Sequence, residues 1–180
     1  MEIQKILEEY RQVVSIDSTK ARILIKKLKY KEDFYLLKCI AQTYLDESRF
    51  DQYGKMRVYI DKRKWRMAER YIIKAFTINP DNAEVLYTMG EIRKLGGLND
   101  IAIYCFEKII ATKPKDIAFG EYGRGIQFAL ELINDAKFEL YRLYHKENPT
   151  LSRRYWEKYK KGLEKGITTI FKPIEQFLMD

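Results

Sequence analysis

Cysteine, histidine, proline and glycine are all scarce in this chain. Two cysteines, one histidine, four prolines and nine glycines are spread over 180 residues. Cys39 and Cys105 form no CxxC pair, and with His145 they make no metal-ligand spacing, so no metal site is expected. His145 sits beside Tyr144 and Lys146 with no nucleophile or orienting carboxylate placed near it in the pattern, which argues against a general base. The glycines of FGEYGRG follow no strand, so they are not a dinucleotide fingerprint. No phosphate loop and no paired carboxylates stand out. The chain reads as a non-enzyme with no cofactor. No apolar run approaches the roughly 18 residues of a membrane span. The opening MEIQKILEEYRQVV has Glu2, Glu8 and Glu9 among its apolar residues, unlike a signal peptide. The expectation is a cytoplasmic protein with reduced, buried thiols and no membrane partner.

What is present is a chain that is 46% hydrophobic and 33% charged, enough for a core and a solvated surface. The net charge is +8. Most of the excess lies in Lys20 to Lys31, Lys55 to Arg66 and Arg153 to Lys165. Such runs read first as solvated helix faces, and second as a nucleic-acid surface. Sustained apolar/polar alternation is missing, so strands are not expected.

Apolar residues recur at helical spacing instead. Ile3, Ile6, Leu7, Tyr10, Val13 and Val14 give a first helix to about Ser15. Asp17 or Ser18 caps a second, carrying Ala21, Ile23, Leu24, Ile25 and Leu28. A third begins near Asp33 with Leu37, Ile40, Ala41 and Tyr44 on one face. Residues 49–61 break the pattern and read as a partly helical, exposed insertion. Helix resumes by Lys62, buries Trp65, Ala68, Tyr71, Ile72, Ala75 and Phe76, and stops at Asn79-Pro80. Asp81 opens a capping box with Glu84, Gly96-Gly97 closes that helix, and Asn99 caps its partner. Asp116 caps the next helix, whose first half holds Gly120, Gly123 and Gly125. Each glycine in a helix interior costs about 1 kcal/mol relative to alanine, so a later helix start, close packing or a ligand must compensate. The pattern continues to Ile133, restarts on a partner helix through Ala136, Leu140, Leu143 and Tyr144, and stops at Asn148-Pro149. A basic aromatic helix from about Ser152 to Lys165 follows. A last helix is expected over Ile167 to Leu178, kinked at Pro173.

Pro80 and Pro114 are 34 residues apart, as are Ala68 and Ala102, and the same step leads to Ala136. A period of that size marks a helical repeat array. In residues 83–116, Leu86, Met89, Gly90, Ala102, Phe106 and Pro114 occupy positions 4, 7, 8, 20, 24 and 32 of one period, with Arg93 and Ile109 departing at 11 and 27. This resembles the tetratricopeptide repeat. The preceding unit, 33–82, matches through Leu37, Ile40, Ala41 and Tyr44, then through Ala68, Ala75 and Pro80, with the insertion at 49–61 between its halves. A third unit, 117–150, keeps Ala136 and Leu140 but is degenerate. Residues 1–32 read as an N-terminal helix pair and 151–180 as C-terminal capping helices. The fold class implied is all-α, an antiparallel helix-pair solenoid forming a right-handed superhelix in a single domain.

The resemblance also implies a function, a scaffold that binds a peptide or helix of another protein in a concave groove. By register the groove is lined by Tyr35, Lys38, Cys39, Gln42 and Leu45, then Glu84, Tyr87, Thr88, Glu91 and Lys94, then Glu121, Tyr122, Gly125 and Phe128. The family's clamp for an acidic chaperone tail would fall on Lys38, Gln42, Thr88, Ala118 and Tyr122, where only Lys38 has the required type. Two alternatives stand beside the groove. In SRRYWEKYKKGLEK, Arg153, Arg154, Lys158 and Lys161 alternate with Tyr155, Trp156 and Tyr159, which is the chemistry of single-stranded RNA binding or of a capping helix with its aromatics turned inward. Uncapped repeat ends would also allow homo-oligomers.

Overall fold

Short polar residues fix where most helices start. The computed structural model describes residues 2–51 and 53–170. These form two compact units, Met1–Asp81 and Asn82–Asp180. All regular elements among the described residues are helical, and the one β feature is an isolated bridge between Phe50 and Met56.

In the first unit α1 spans Glu2–Val13 and α2 spans Ser18–Lys26. Asp17 caps α2 by accepting the Lys20 N–H at 2.8 Å. A 3-10 turn at Tyr30–Glu32 leads to α3, Phe34–Arg49. Asp33 caps α3, accepting from the N–H groups of Tyr35 and Leu36. Every residue from Phe34 to Ala41 is buried, because α3 packs against both α2 and α4 (Lys62–Ile78). α1 is tied in by the Tyr10 hydroxyl, which donates to the Cys39 carbonyl at 3.2 Å. Tyr44 stacks on Tyr71 at 5.8 Å between α3 and α4. Fully burying each large apolar side chain contributes about 1.5–3 kcal/mol, so this row of α3 dominates the unit.

Among its described residues the segment between α3 and α4 contains no helix, contrary to expectation. After Phe50 the chain turns and comes back, with the Arg57 N–H on the Arg49 carbonyl at 2.7 Å and the Asp61 N–H on the Ser48 carbonyl at 3.0 Å. Tyr53, Met56, Val58 and Tyr59 are each at least 75% exposed. Val58 and Tyr59 are poor helix formers and lack an apolar face to pack on, which leaves no gain from helix formation.

In the second unit α5 spans Ala83–Leu95 and α6 spans Asn99–Ala111. Three expected caps are corrected here. Asn82, not Asp81, caps α5, its Oδ1 accepting from Glu84 and Val85 at 3.1 Å each. α6 begins at Asn99 without a side-chain cap. Pro114 opens α7, Pro114–Phe119, so Asp116 lies inside its first turn. Proline suits the first helical position, where its missing N–H is no loss, and this pulls the start forward. Gly97, at φ 75°, turns the chain after α5, and the Leu98 N–H closes back on the Arg93 carbonyl at 2.9 Å. That left-handed cap is the one the glycine pair announced.

The glycines after Pro114 are also explained. α7 stops at Phe119, and α8 starts afresh and runs unbroken over Gly125–Tyr144. A side chain at Gly123 would put a Cβ 2.3 Å from the Ala118 carbonyl oxygen, so this turn requires glycine. The expected break between Ile133 and Ala136 is absent. No glycine or proline interrupts Ile126 to Tyr144, and Asn134 and Asp135 are buried on α8. α9, Pro149–Glu164, packs on α8. Residues 165–170 are non-helical. The remainder of the expected last helix, with Pro173, lies outside the described residues.

Candidate functional site

The residues assigned to a groove fall into two classes. Tyr35, Lys38, Cys39 and Leu45 are buried in α3, and the Lys38 ammonium lies 4.1 Å over the Tyr35 ring. Gln42 is half-buried, its amide donating to Asp46 at 2.9 Å. In α5, Tyr87, Thr88 and Glu91 are buried while Glu84 and Lys94 are half-exposed. Tyr87 meets Phe106 edge-on at 5.4 Å. Phe128 is buried under the Arg124 guanidinium, 4.0 Å above its ring. Glu121 is exposed and Tyr122 and Gly125 are half-exposed, in the turn that opens α8. Solvent therefore reaches Gln42, Glu84, Lys94, Glu121, Tyr122 and Gly125 but not the other eight.

Tyr122 is held at φ 64°, the one positive φ of a non-glycine among the described residues. A left-handed backbone costs a bulky residue about 1–2 kcal/mol, so the turn is held there by its surroundings. The neighbours Gly120 and Gly123 supply the close approaches that fix it: a Cβ at Gly120 would sit 2.8 Å from the Asp116 carbonyl oxygen.

The structure also joins charges that the repeat register alone did not connect. Lys94 pairs with Glu91 on its own helix and with Glu139 on α8. Glu139 is 0% exposed, so an ammonium is required to hold its charge inside the unit. Glu131, Asp135 and Glu139 follow one another at four-residue steps and so form a row of carboxylates on one face of α8. The spacing was visible in the sequence, although nothing there distinguished this row from a solvated helix face.

Downstream of α9 the chain returns to this row. Gly166, at φ 76°, reverses direction, and the Ile167 N–H donates to the Gly162 carbonyl at 3.0 Å. Thr168 Oγ1 then donates to Glu131, and the Ile170 N–H donates to Asp135 Oδ2 at 2.9 Å.

On α9 the cations and aromatics separate. Arg153, Arg154, Lys158 and Lys161 are exposed and line a shallow depression with Thr150 and Glu157. Tyr155 stacks on Tyr144 at 5.9 Å, Trp156 lies 5.0 Å from Tyr141, and Tyr159, fully buried, lies 5.2 Å from Phe138. The aromatics thus face α8. The Tyr144 and Tyr155 hydroxyls both donate to Glu107, at 3.0 and 3.4 Å. Burial, with the Glu107 hydrogen bond and charge, pushes Tyr144 up to about 12. Lys137 on α8 is shifted down by burial and by the charges of Lys158 and Lys165, which marks a concentration of cations at this side of the helix pair.

Groups with latent chemistry are quiet. Burial pushes the Cys105 thiol up to about 11, far from the thiolate a nucleophile requires. Cys39 is buried and forms no disulfide. His145 is exposed, edge-on to Tyr141 at 5.9 Å. No group of three metal-ligating side chains converges among the described residues, and no described helix is long and apolar enough to cross a membrane. Comparison with family models, curated proteins and solved structures returns no match.

Proposed function

We propose that this chain is a non-enzymatic interaction scaffold of tetratricopeptide type that binds a peptide or helix of another protein. The observation that carries this reading is the packing of α5 on α6. Gly90 lies under the Phe106 ring so closely that a Cβ there would be 2.7 Å from the ring tip. That is the small-against-large contact the repeat register assigns to this pair. Within the second unit the members of the register that solvent reaches, Glu84, Lys94, Glu121, Tyr122 and Gly125, are the contact residues. Buried thiols at Cys39 and Cys105, neither in a disulfide, support a cytoplasmic location. The test is capture of partner protein from a lysate of the native cells. Glu121→Arg should remove the captured bands while leaving the thermal melt within about 2 °C, since this carboxylate is exposed and surface changes are nearly neutral. Undiminished capture refutes the assignment.

The exposed cation row of α9 favours a second reading, nucleic-acid binding. With Tyr155, Trp156 and Tyr159 turned toward α8, binding there would follow phosphates rather than stack bases. It would weaken steeply with salt, and Arg153→Glu with Lys158→Glu would abolish it. An absence of gel retardation at low salt removes this reading.

A further inference from the structure

The return of the chain onto α8 follows a geometric match. In an extended segment, alternate residues lie about 6.6 Å apart. On a helix, residues four apart rise about 6 Å. Thr168 and Ile170 are two apart in the segment, and Glu131 and Asp135 are four apart on the helix. The two observed donors, two residues apart in the returning segment, thus meet acceptors about one helical turn apart on α8. The first donor is the Thr168 hydroxyl, which calls for a serine or threonine at that place, and the second is a main-chain N–H, which any residue but proline supplies. Both acceptors carry carboxylates, which accept hydrogen bonds and donate none when ionised.

From this match we infer that the Glu131–Asp135 face of α8 is a binding site for a peptide segment, occupied by the chain's own residues 167–170 until a partner segment displaces them. The partner is defined by the same chemistry. It presents a serine or threonine hydroxyl, then a main-chain N–H two residues later, and no acidic side chain at either place. An acidic peptide is excluded by repulsion from the two carboxylates, opposite to the carboxylate clamp weighed from the sequence. The inference deepens the scaffold reading and rests on it, but uses a different surface from Glu84, Glu121 and Tyr122. Loss of one assignment is thus separable from loss of the other.

A tethered occupant competes at an effective concentration on the order of 1 mM. An added peptide with a Kd of about 100 μM for the open site should therefore bind the closed chain about tenfold more weakly. The probe is a fluorescein-labelled synthetic peptide of the sequence Lys165 to Asp180, followed by anisotropy with the full-length chain. Thr168→Val with Ile170→Pro removes both donors from the chain's own segment. That variant should bind the probe at least tenfold more tightly than the unaltered chain. Adding Glu131→Ala should weaken it at least fivefold, and a probe bearing the same two substitutions should not bind. Equal binding by the unaltered and released chains, or none by the released chain, overturns the inference. Should the released chain lose its helical circular dichroism, hydrogen exchange of the Ile170 amide decides. Protection in the unaltered chain, reduced at least tenfold by Glu131→Ala, supports the site, and an unprotected amide refutes it.

Discussion

Replacing Gly90 by alanine sets two effects of known sign against each other. Gly90 is inside α5, so alanine gains about 1 kcal/mol in helix propensity. The added methyl meets Phe106 at 2.7 Å from Cζ and 3.0 Å from Cε1 and Cε2. It therefore strikes the ring end-on. Flipping the ring gives no relief, because Cζ lies on the axis of that rotation, and relief requires movement of the whole side chain. Phe106 is fully buried and Tyr87 lies edge-on beside it. Overpacking of such a core costs about 1–3 kcal/mol. The net expectation is a loss of about 1 kcal/mol by urea denaturation, the packing term exceeding the propensity term. The midpoint temperature should fall by about 2–8 °C, the larger figure applying if residues 82–180 melt alone. The pair Gly90→Ala with Phe106→Leu should be more stable than the sum of its single effects by at least about 1 kcal/mol, since leucine removes the ring tip. A rise in midpoint for Gly90→Ala, or additivity within about 0.5 kcal/mol, would refute the close approach.

Gly162→Ala places a Cβ 2.3 Å from Asn134 Oδ1, so it should cost about 1–3 kcal/mol, with Asn134→Ala restoring part of the loss in the same melts. Glu47 accepts from Lys64, Arg22 and Thr19; burial alone would raise its carboxyl, but these contacts outweigh it and hold it below the ordinary carboxylate value. Its stabilisation is therefore full above the unfolded value and lost as pH falls through the lower folded one. Glu47→Gln should cost about 1–3 kcal/mol at neutral pH, a difference that shrinks as the pH falls through the lowered carboxyl value; a difference independent of pH would contradict this. Tyr122→Gly should relieve the left-handed strain and raise stability by about 0.5–1 kcal/mol while weakening partner capture, and a destabilised variant would show that the tyrosine side chain holds the turn.

Helix content, a cap at Asp17 or Ser18, the start near Asp33 and the stop at Gly96-Gly97 were all legible because each depends on residues a few positions apart. The same locality explains the misplacements. Asp81 and Asn82 are both good caps, and only the backbone path selects Asn82, whose oxygen reaches two N–H groups. The glycines after Pro114 announced an interruption, but the repeat register placed a second one near Ile133 that α8 does not have. There the buried Asn134 and Asp135 sit inside a continuous helix, against α9 and the returning chain, a placement that local pattern does not supply. Accessibility was the other quantity out of reach. Register names a helix face, yet whether Tyr87 and Glu91 meet solvent depends on what packs over them.

The sequence by itself determined the all-helical class, most helix limits and the small-against-large packing of α5 on α6, since turn chemistry and apolar period act over one or two helical turns. Only the tertiary structure decided that the α9 aromatics face α8, that Lys94 bridges Glu91 and Glu139, and that residues 167–170 fold back onto Glu131 and Asp135. Apart from Lys94–Glu91 within α5, those contacts join residues 15 to 45 positions apart with no fixed spacing, so their partners are chosen by packing rather than by local pattern.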